Sequence, residues 1–166
     1  MTDEVVREAT KKAIATAKEN GLLISFDPNL RPPLWSSLDD AKEQIAYGMS
    51  QCDILKISDN EIEFMTGTSE FDKGAAMLQE QYPNIRLLNV TAGADGSYSY
   101  YQGRKIFVPS YLLGGTVDTT GAGDTFGGCV LNYVLDHDID HLTDAELTEM
   151  LQTANAAAYL VTTKKG

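Results

Sequence analysis

The amino-acid sequence predicts an α/β fold in which a mostly parallel sheet is covered by helices on both faces. In the first half of the chain, short apolar runs alternate with helices of ten or more residues, most of them with their own start and stop residues. In the second half that alternation gives way to a hairpin pattern, then to a glycine-rich turn opening a helix. The chain holds 166 residues, which at about 150 residues per domain implies one domain over 1–166.

Each element has a local reason. Thr2 or Asp3 caps a first helix whose apolar residues Val6, Ala9, Ala13 and Ala17 recur three to four apart, and Asn20-Gly21 stops it. Residues 22–26 form a short apolar strand running into the turn Asp27-Pro28-Asn29. Pro32 and Pro33 lack a ladder donor, so a long loop leaves the strand end. Ser37 with Asp40 reads as an Asp-containing capping box for a helix to about Met49. A second strand covers 53–57. Ser58 caps a short helix through Asn60, Glu63 and Phe64 that stops at Gly67. Ser69 caps another over 70–82, with Phe71, Ala75 and Leu78 on one face, before a third strand at 85–91.

Residues 97–101 and 105–108 pair as a hairpin about Gln102-Gly103-Arg104, and 111–118 is a loop. A helix starts around Asp124 and runs to Leu135. Thr143 and Glu146 form a full capping box before a last helix to about Leu160, with Leu147, Leu151, Ala154 and Ala158 inward. Only three strands suit parallel pairing, and the chain opens on a helix. Either the hairpin joins the same sheet, or the chain is a piece of something larger, or both.

Composition narrows the function. Lys and Arg number 13 against 24 Asp and Glu, a formal net charge of −11. That balance argues against a broad basic face for nucleic acid or an anionic membrane, while a local basic spot can still hold a small anion. The apolar runs fall far short of the roughly 18 residues a bilayer span demands. Residues 1–12 lack the basic start, apolar core and cleavage site of a signal peptide, so a cytoplasmic location is expected. Cys52 and Cys129 are expected to be reduced thiols. Asn89-Val90-Thr91 matches a glycosylation acceptor by chance, in a strand of a chain without an export signal.

The chemistry concentrates in VDTTGAGDTFGG, Val117 to Gly128. Gly121, Ala122 and Gly123 sit at a loop-to-helix transition, where unsatisfied amides and the positive helix end favour an anion such as phosphate. Asp124 follows at once; a carboxylate there either stabilises the first helical turn or stands beside a phosphoryl group as a general base. Gly121, Gly123 and Gly127 also invite a dinucleotide reading. Three features weaken it: no clear strand precedes them, Phe126 stands where a small residue belongs, and no acidic strand end lies about 20 residues on. A Walker A loop is absent from the sequence. His137 and His141 are four apart without a recognised ligand pattern and read as a surface turn, and Tyr98, Tyr100 and Tyr101 read as strand packing.

Taken together, these stretches resemble the carboxyl-terminal part of the ribokinase-like (PfkB) carbohydrate kinases, and within that family the bacterial fructokinases. The DTTGAGDTFGG stretch is similar to the family's second signature. The resemblance continues in order through Phe26-Asp27-Pro28-Asn29-Leu30-Arg31, Lys56 with Asn60-Glu61-Ile62-Glu63, Thr91-Ala92-Gly93-Ala94-Asp95-Gly96 and Asn155-Ala156-Ala157-Ala158. It implies a Rossmann-like three-layer sandwich of the ribokinase-like type, incomplete, with the amino-terminal strands and β lid absent. Residues 1–166 would then be the nucleotide-binding and catalytic part.

The resemblance also implies roles. Asp124 is the base that takes the proton of a sugar hydroxyl, and the amides of Gly121, Ala122 and Gly123 form the anion hole, which suits a reaction governed by alignment and electrostatics. Asn60 and Glu63 match the NxxE motif that faces Mg²⁺, through water, and the phosphates; two oxygen-bearing side chains three apart can share one hydrated ion. Lys56, Thr91, Gly93, Gly96 and Asn155 fall on nucleotide-binding positions, with ATP the implied cofactor. Asp118, Thr120 and Gly166 match parts of a monovalent-cation site, with K⁺ as the ion. Asp27, Asn29 and Arg31 look like the DxNxR element, in which Arg31 meets the transferring phosphate or the substrate.

The implied substrate is a sugar, fructose by the nearest resemblance. The alternatives are 2-keto-3-deoxygluconate kinase, another ribokinase-like kinase, or a non-catalytic, self-associating α/β fragment. Most sugar-recognising residues of the family lie in an amino-terminal part that this chain lacks. That part is an implied partner, and the chain alone is expected to self-associate and to be inactive.

Overall fold

The computed structural model describes residues 1–165, and the chain divides into two compact units, Met1–Ile85 and Arg86–Gly166. In the first unit the helices are α1 (Glu4–Glu19), α2 (Leu38–Met49), α3 (Asp59–Thr66) and α4 (Phe71–Gln81), with strands β1 (Ser25–Phe26) and β2 (Ile54–Ser58). α1 starts where Asp3 Oδ1 accepts the Val5 amide at 2.9 Å. It ends in a Schellman closure: the amides of Gly21 and Leu22 donate to the carbonyls of Lys18 and Ala17, both at 3.0 Å.

That closure explains why the strand expected over 22–26 shrinks to Ser25–Phe26. The Leu22 amide is already spent on the helix end, and the Ile24 amide donates to Asp53 Oδ2 at 2.8 Å instead of to a ladder carbonyl. β1 then pairs parallel with β2, Ser25 opposite Ile54 and Phe26 opposite Leu55. α2 passes directly under the strand because Gly48 has no side chain; a Cβ there would lie 2.6 Å from Phe26 Cε1. The core of this unit is Ala41, Ile45 and Met49 from α2, Ile54, Leu55 and Ile57 from β2, Ile62 from α3, and Ala75 and Leu78 from α4, all buried.

Two expected caps differ. Ser37 Oγ accepts the Asp40 amide at 3.0 Å, but the Asp40 carboxylate does not return to Ser37; it accepts from Arg7 at 3.0 Å and from Ser36. An Asp arm is one methylene shorter than the Glu of a full box, and the arginine charge offers the stronger partner. Ser69 does not cap α4. Glu70 holds that position without a side-chain bond, and its amide donates to Thr68 Oγ1.

The second unit contains β3 (Leu87–Thr91), β4 (Gly96–Tyr101), β5 (Arg104–Pro109), α5 (Ala122–Leu135) and α6 (Asp144–Thr162). Within it β3, expected to lie in a mostly parallel sheet, pairs antiparallel with β4, and β4 pairs antiparallel with β5. The hairpin turns on Gln102 and Gly103, with φ of 48° and 75°. Two positive φ values form the primed turn whose twist matches the strands, so Arg104 enters the ladder opposite Tyr101. α5 and α6 pack together, and α6 lies on the hairpin. Phe126, Val130, Leu147, Met150, Leu151 and Ala154 fill the space between.

Polar bonds lock this packing. Tyr101 Oη donates to the Ile139 carbonyl at 2.8 Å and accepts the Leu142 amide at 3.2 Å, tying the α5–α6 connection to the hairpin. Asn155, buried on α6, accepts from Ser97 Oγ at 2.9 Å and donates to the carbonyls of Val108 and Pro109 at 3.0 and 3.3 Å. The amide thus clasps both hairpin strands. Thr143 and Glu146 form the full capping box expected of them. Both cysteines are free; burial pushes the Cys52 thiol up to about 12.

Asn155→Leu keeps the volume and removes the clasp, leaving the Ser97 hydroxyl and a strand carbonyl buried without that partner. We expect a loss of about 2 kcal/mol in urea unfolding, with Leu147→Ala, a cavity in the same layer, as the comparison. A loss below about 0.5 kcal/mol would mean that the amide is not holding the hairpin.

Candidate active site

The glycine-rich turn is built by backbone geometry. Gly121 has φ +80°, a conformation that L side chains rarely adopt, and stands at the N-cap of α5. The helix therefore begins at Ala122, two residues before the expected start at Asp124. This brings Gly123 and Asp124 into the first turn. The Ala122 amide closes onto the Thr119 carbonyl at 3.2 Å, whereas the amides of Gly121 and Gly123 have no hydrogen-bond partner among the described residues. The Asp124 side chain is exposed on that open turn. Unpaired amides, a positive helix end and an adjoining free carboxylate can hold an anion beside a base.

The segment feeding this turn is anchored at both ends. The amides of Val117 and Asp118 donate to the Thr162 carbonyl at 2.8 and 3.1 Å, which satisfies an end carbonyl of α6. Asp118 Oδ1 accepts the Thr120 amide at 2.8 Å and its hydroxyl at 2.7 Å. Asp118 and Thr120 are thus brought together. Gly166, expected to form another part of that cation site, lies outside the described residues. Thr91 ends β3, and a 3₁₀ turn over Gly93–Asp95 follows, closed by the Asp95 amide on the Ala92 carbonyl at 3.0 Å. Gly96 has φ +128°, and a Cβ there would lie 2.8 Å from Pro109 Cα, so only glycine lets β4 start against β5. Asn155 does not join this turn: its carbonyl and amide groups are engaged inside the unit.

The first unit carries the other expected residues. Asn60 and Glu63 lie three apart on α3 and are both exposed, open to a shared hydrated ion. Among the described residues there is no group of three or more His, Cys, Asp or Glu side chains arranged to hold a bare metal. An ion here would keep most of its waters, which suits Mg²⁺. Lys56 points from buried β2 to Asp27, Nζ to Oδ2 at 3.0 Å. Burial raises the Asp27 carboxyl above its ordinary 3.8, Lys56 opposes this, and Glu61 adds to it. Arg31 is exposed and donates to Asn29 Oδ1 at 2.7 Å, with Asn29 at φ +45°. Reading the sequence missed Glu61 as more than part of a motif. It is buried and accepts the Leu30 amide at 2.6 Å and the Ser58 amide at 2.9 Å; the Ser-x-x-Glu spacing signals the second bond, and nothing local signals the first.

His137 and His141 gather no ligand set: His137 stacks on Tyr133 with ring centroids 3.9 Å apart, and His141 faces Asp138. No helix of the described residues is long and apolar enough to cross a membrane.

An α/β chain with an open, glycine-headed helix end and a free carboxylate in its first turn has the local geometry that suits an anion. The particular family follows from comparison. The profile of the pfkB family carbohydrate kinases matches residues 1–166, and the chain belongs to that family. It is similar to fructokinase-2 of Solanum lycopersicum, 42% identical over 163 residues that make up 98% of this chain and 49% of that one. Among solved structures it is similar to a double mutant of fructokinase from Vibrio cholerae O395 in a fructose-, ADP- and potassium-bound form. The TM-score is 0.88 at 32% identity, over 99% of this chain and 52% of that one. Aminoimidazole riboside kinase from Salmonella enterica, complexed with aminoimidazole riboside and an ATP analog, matches with TM-score 0.85 and 30% identity, over 99% and 54%. The chain spans about half the length of the curated relatives it matches.

Lys56→Met removes the cation from a pair whose Lys56 side chain is 10% exposed and whose Asp27 side chain is 27% exposed. We expect a loss of about 2 kcal/mol, below the cost of breaking a fully buried pair because water reaches Asp27. The pH dependence has a definite sign. With burial and Glu61 still raising the Asp27 carboxyl, the folded state holds its proton more tightly than the unfolded chain. Stability is then full below about 3.8 and falls as pH rises through the folded value. Urea midpoints from pH 4 to 7 should decline more steeply in Lys56→Met than in the unsubstituted chain, and parallel curves would contradict the pairing.

Proposed function

We propose that the chain is the nucleotide-binding and catalytic part of an ATP-dependent sugar kinase of the fructokinase type, and that Asp124 is its general base. The observation that carries this reading is the open first turn of α5: two unpaired glycine amides beside an exposed carboxylate. In the reaction, the acceptor hydroxyl oxygen bonds to the γ-phosphorus of ATP while the bond from that phosphorus to the β,γ-bridging oxygen breaks. Asp124 takes the hydroxyl proton and ADP leaves. The amides of Gly121, Ala122 and Gly123 stabilise charge on the phosphoryl oxygens, Ala122 by giving up its long bond to Thr119.

Asn60 and Glu63 would hold the water shell of Mg²⁺, which would supply charge neutralisation at the phosphates. Arg31 adds a cation for the transferring group or the sugar. Thr91, Gly93 and Gly96 would line the nucleotide, and Lys56 pairs with Asp27 at the start of the loop that carries Arg31. Asp118 and Thr120 would contribute to a K⁺ site beside the turn. Fructose is the acceptor favoured by the named relatives. The chain spans about half the length of the curated relatives it matches, and by itself it binds nucleotide without useful turnover.

Replacing Asp124 by Asn in the full-length parent keeps shape and removes the base. We expect kcat to fall at least about 10²-fold, with KM for Mg-ATP changed less than about threefold. Near-normal kcat in a coupled ADP-release assay would sink the assignment.

Calorimetric titration of the 166-residue chain with Mg-ATP should detect weak binding. Gly123→Val should weaken it at least about tenfold by crowding the amides. A folded sample that releases or takes up no heat at millimolar nucleotide would leave only the non-catalytic reading.

A further inference from the structure

We propose that Glu61 is a positioning residue for phosphoryl transfer, registering the loop that carries Arg31 against the helix that carries Asn60 and Glu63. The inference rests on the kinase reading above. Glu61 is 6% exposed, and its two carboxylate oxygens have different duties. Oε2 accepts the Ser58 amide at 2.9 Å and closes the capping box at the head of α3. Oε1 accepts the Leu30 amide at 2.6 Å, 31 residues away in sequence. Leu30 lies between Asn29, which accepts from the Arg31 guanidinium, and Arg31 itself.

Capping alone does not require this arrangement. Among the described residues the other capping-box glutamate, Glu146 on α6, accepts only from Thr143, and its bonds are exposed. Glu61 instead brings a carboxylate into the interior, near the like charge of Asp27, with Lys56 beside Asp27 to offset it. Burying that charge costs stability unless hydrogen bonds and a counter-charge offset it. Its distinctive return is a fixed relation between two loaded segments. Asn60 and Glu63 are exposed on the same short helix whose buried side Glu61 occupies, so one carboxylate sets where the oxygen ligands stand and where the Arg31 cation is held. Displacing such a group by about 1 Å can cost up to about 10²-fold in rate.

The test is a double-mutant cycle in the full-length parent. Glu61→Gln keeps the size but presents an amide donor to one of the two backbone donors. We expect kcat to fall about tenfold. We also expect Arg31→Met, costly by itself, to lower kcat less than about threefold further in the Glu61→Gln background, because an unregistered arginine has little left to lose. Amide exchange at Leu30 should accelerate at least about tenfold. Glu61→Asp, which keeps the charge but shortens the reach, is the second variant should the first not fold, with the same non-additivity expected. Independent, multiplying losses for Glu61 and Arg31, or unchanged Leu30 exchange, would overturn the proposal. The Asp124→Asn control separates the two readings. If it still collapses kcat while the Glu61 and Arg31 effects multiply, the positioning role alone fails; if it leaves kcat intact, the kinase reading fails first.

Discussion

A backbone amide carried out of water must find an acceptor or forfeit on the order of 1–3 kcal/mol, and the loops of this chain are placed by the few side chains that meet that demand. In the first unit Glu61 accepts the amides of Leu30 and Ser58, so the turn after β1 and the head of α3 are parts of one hydrogen-bonded assembly. In the second unit Asn155 does the equivalent for the hairpin, bonding Ser97 on β4 and the carbonyls of Val108 and Pro109 on β5. The Leu30–Glu61 and Ser97–Asn155 bonds each span more than 30 residues of sequence, so neither follows from the residues around it.

Against that economy, the polar groups left open stand out. Gly121 and Gly123 keep their amides unpaired among the described residues, Asp124 is exposed in the same helical turn, and Asn60 and Glu63 are exposed on α3. Stability does not ask for these groups; α6, by contrast, closes its first turn with the Thr143 cap. Chemistry on anions does ask for them, because a phosphoryl group needs donors and a base not already committed to the protein. The pfkB family match over the whole chain accords with this division between committed and open groups.

Much of this was legible residue by residue. The Gly121-Ala122-Gly123-Asp124 turn was visible because glycine spacing and an acidic first turn are local signals. The Thr143–Glu146 box and the Gln102-Gly103 turn were visible for the same reason. Errors arose where a local signal met a stronger partner. Asp40 was drawn to Arg7, and Leu22 surrendered its amide to the end of α1. The bonds of Asn155 to a hydroxyl and two carbonyls had no local signal at all.

The sequence by itself determined the class of elements, most of their caps and the place of the glycine-rich turn, because helix periodicity, capping and glycine conformation depend on neighbours within about four residues. Only the tertiary structure decided which side chains became struts and which stayed free. That Glu61 turns inward to Leu30 while Glu63, two residues later, turns outward follows from which side of α3 is packed, and packing is set by residues far away in the chain.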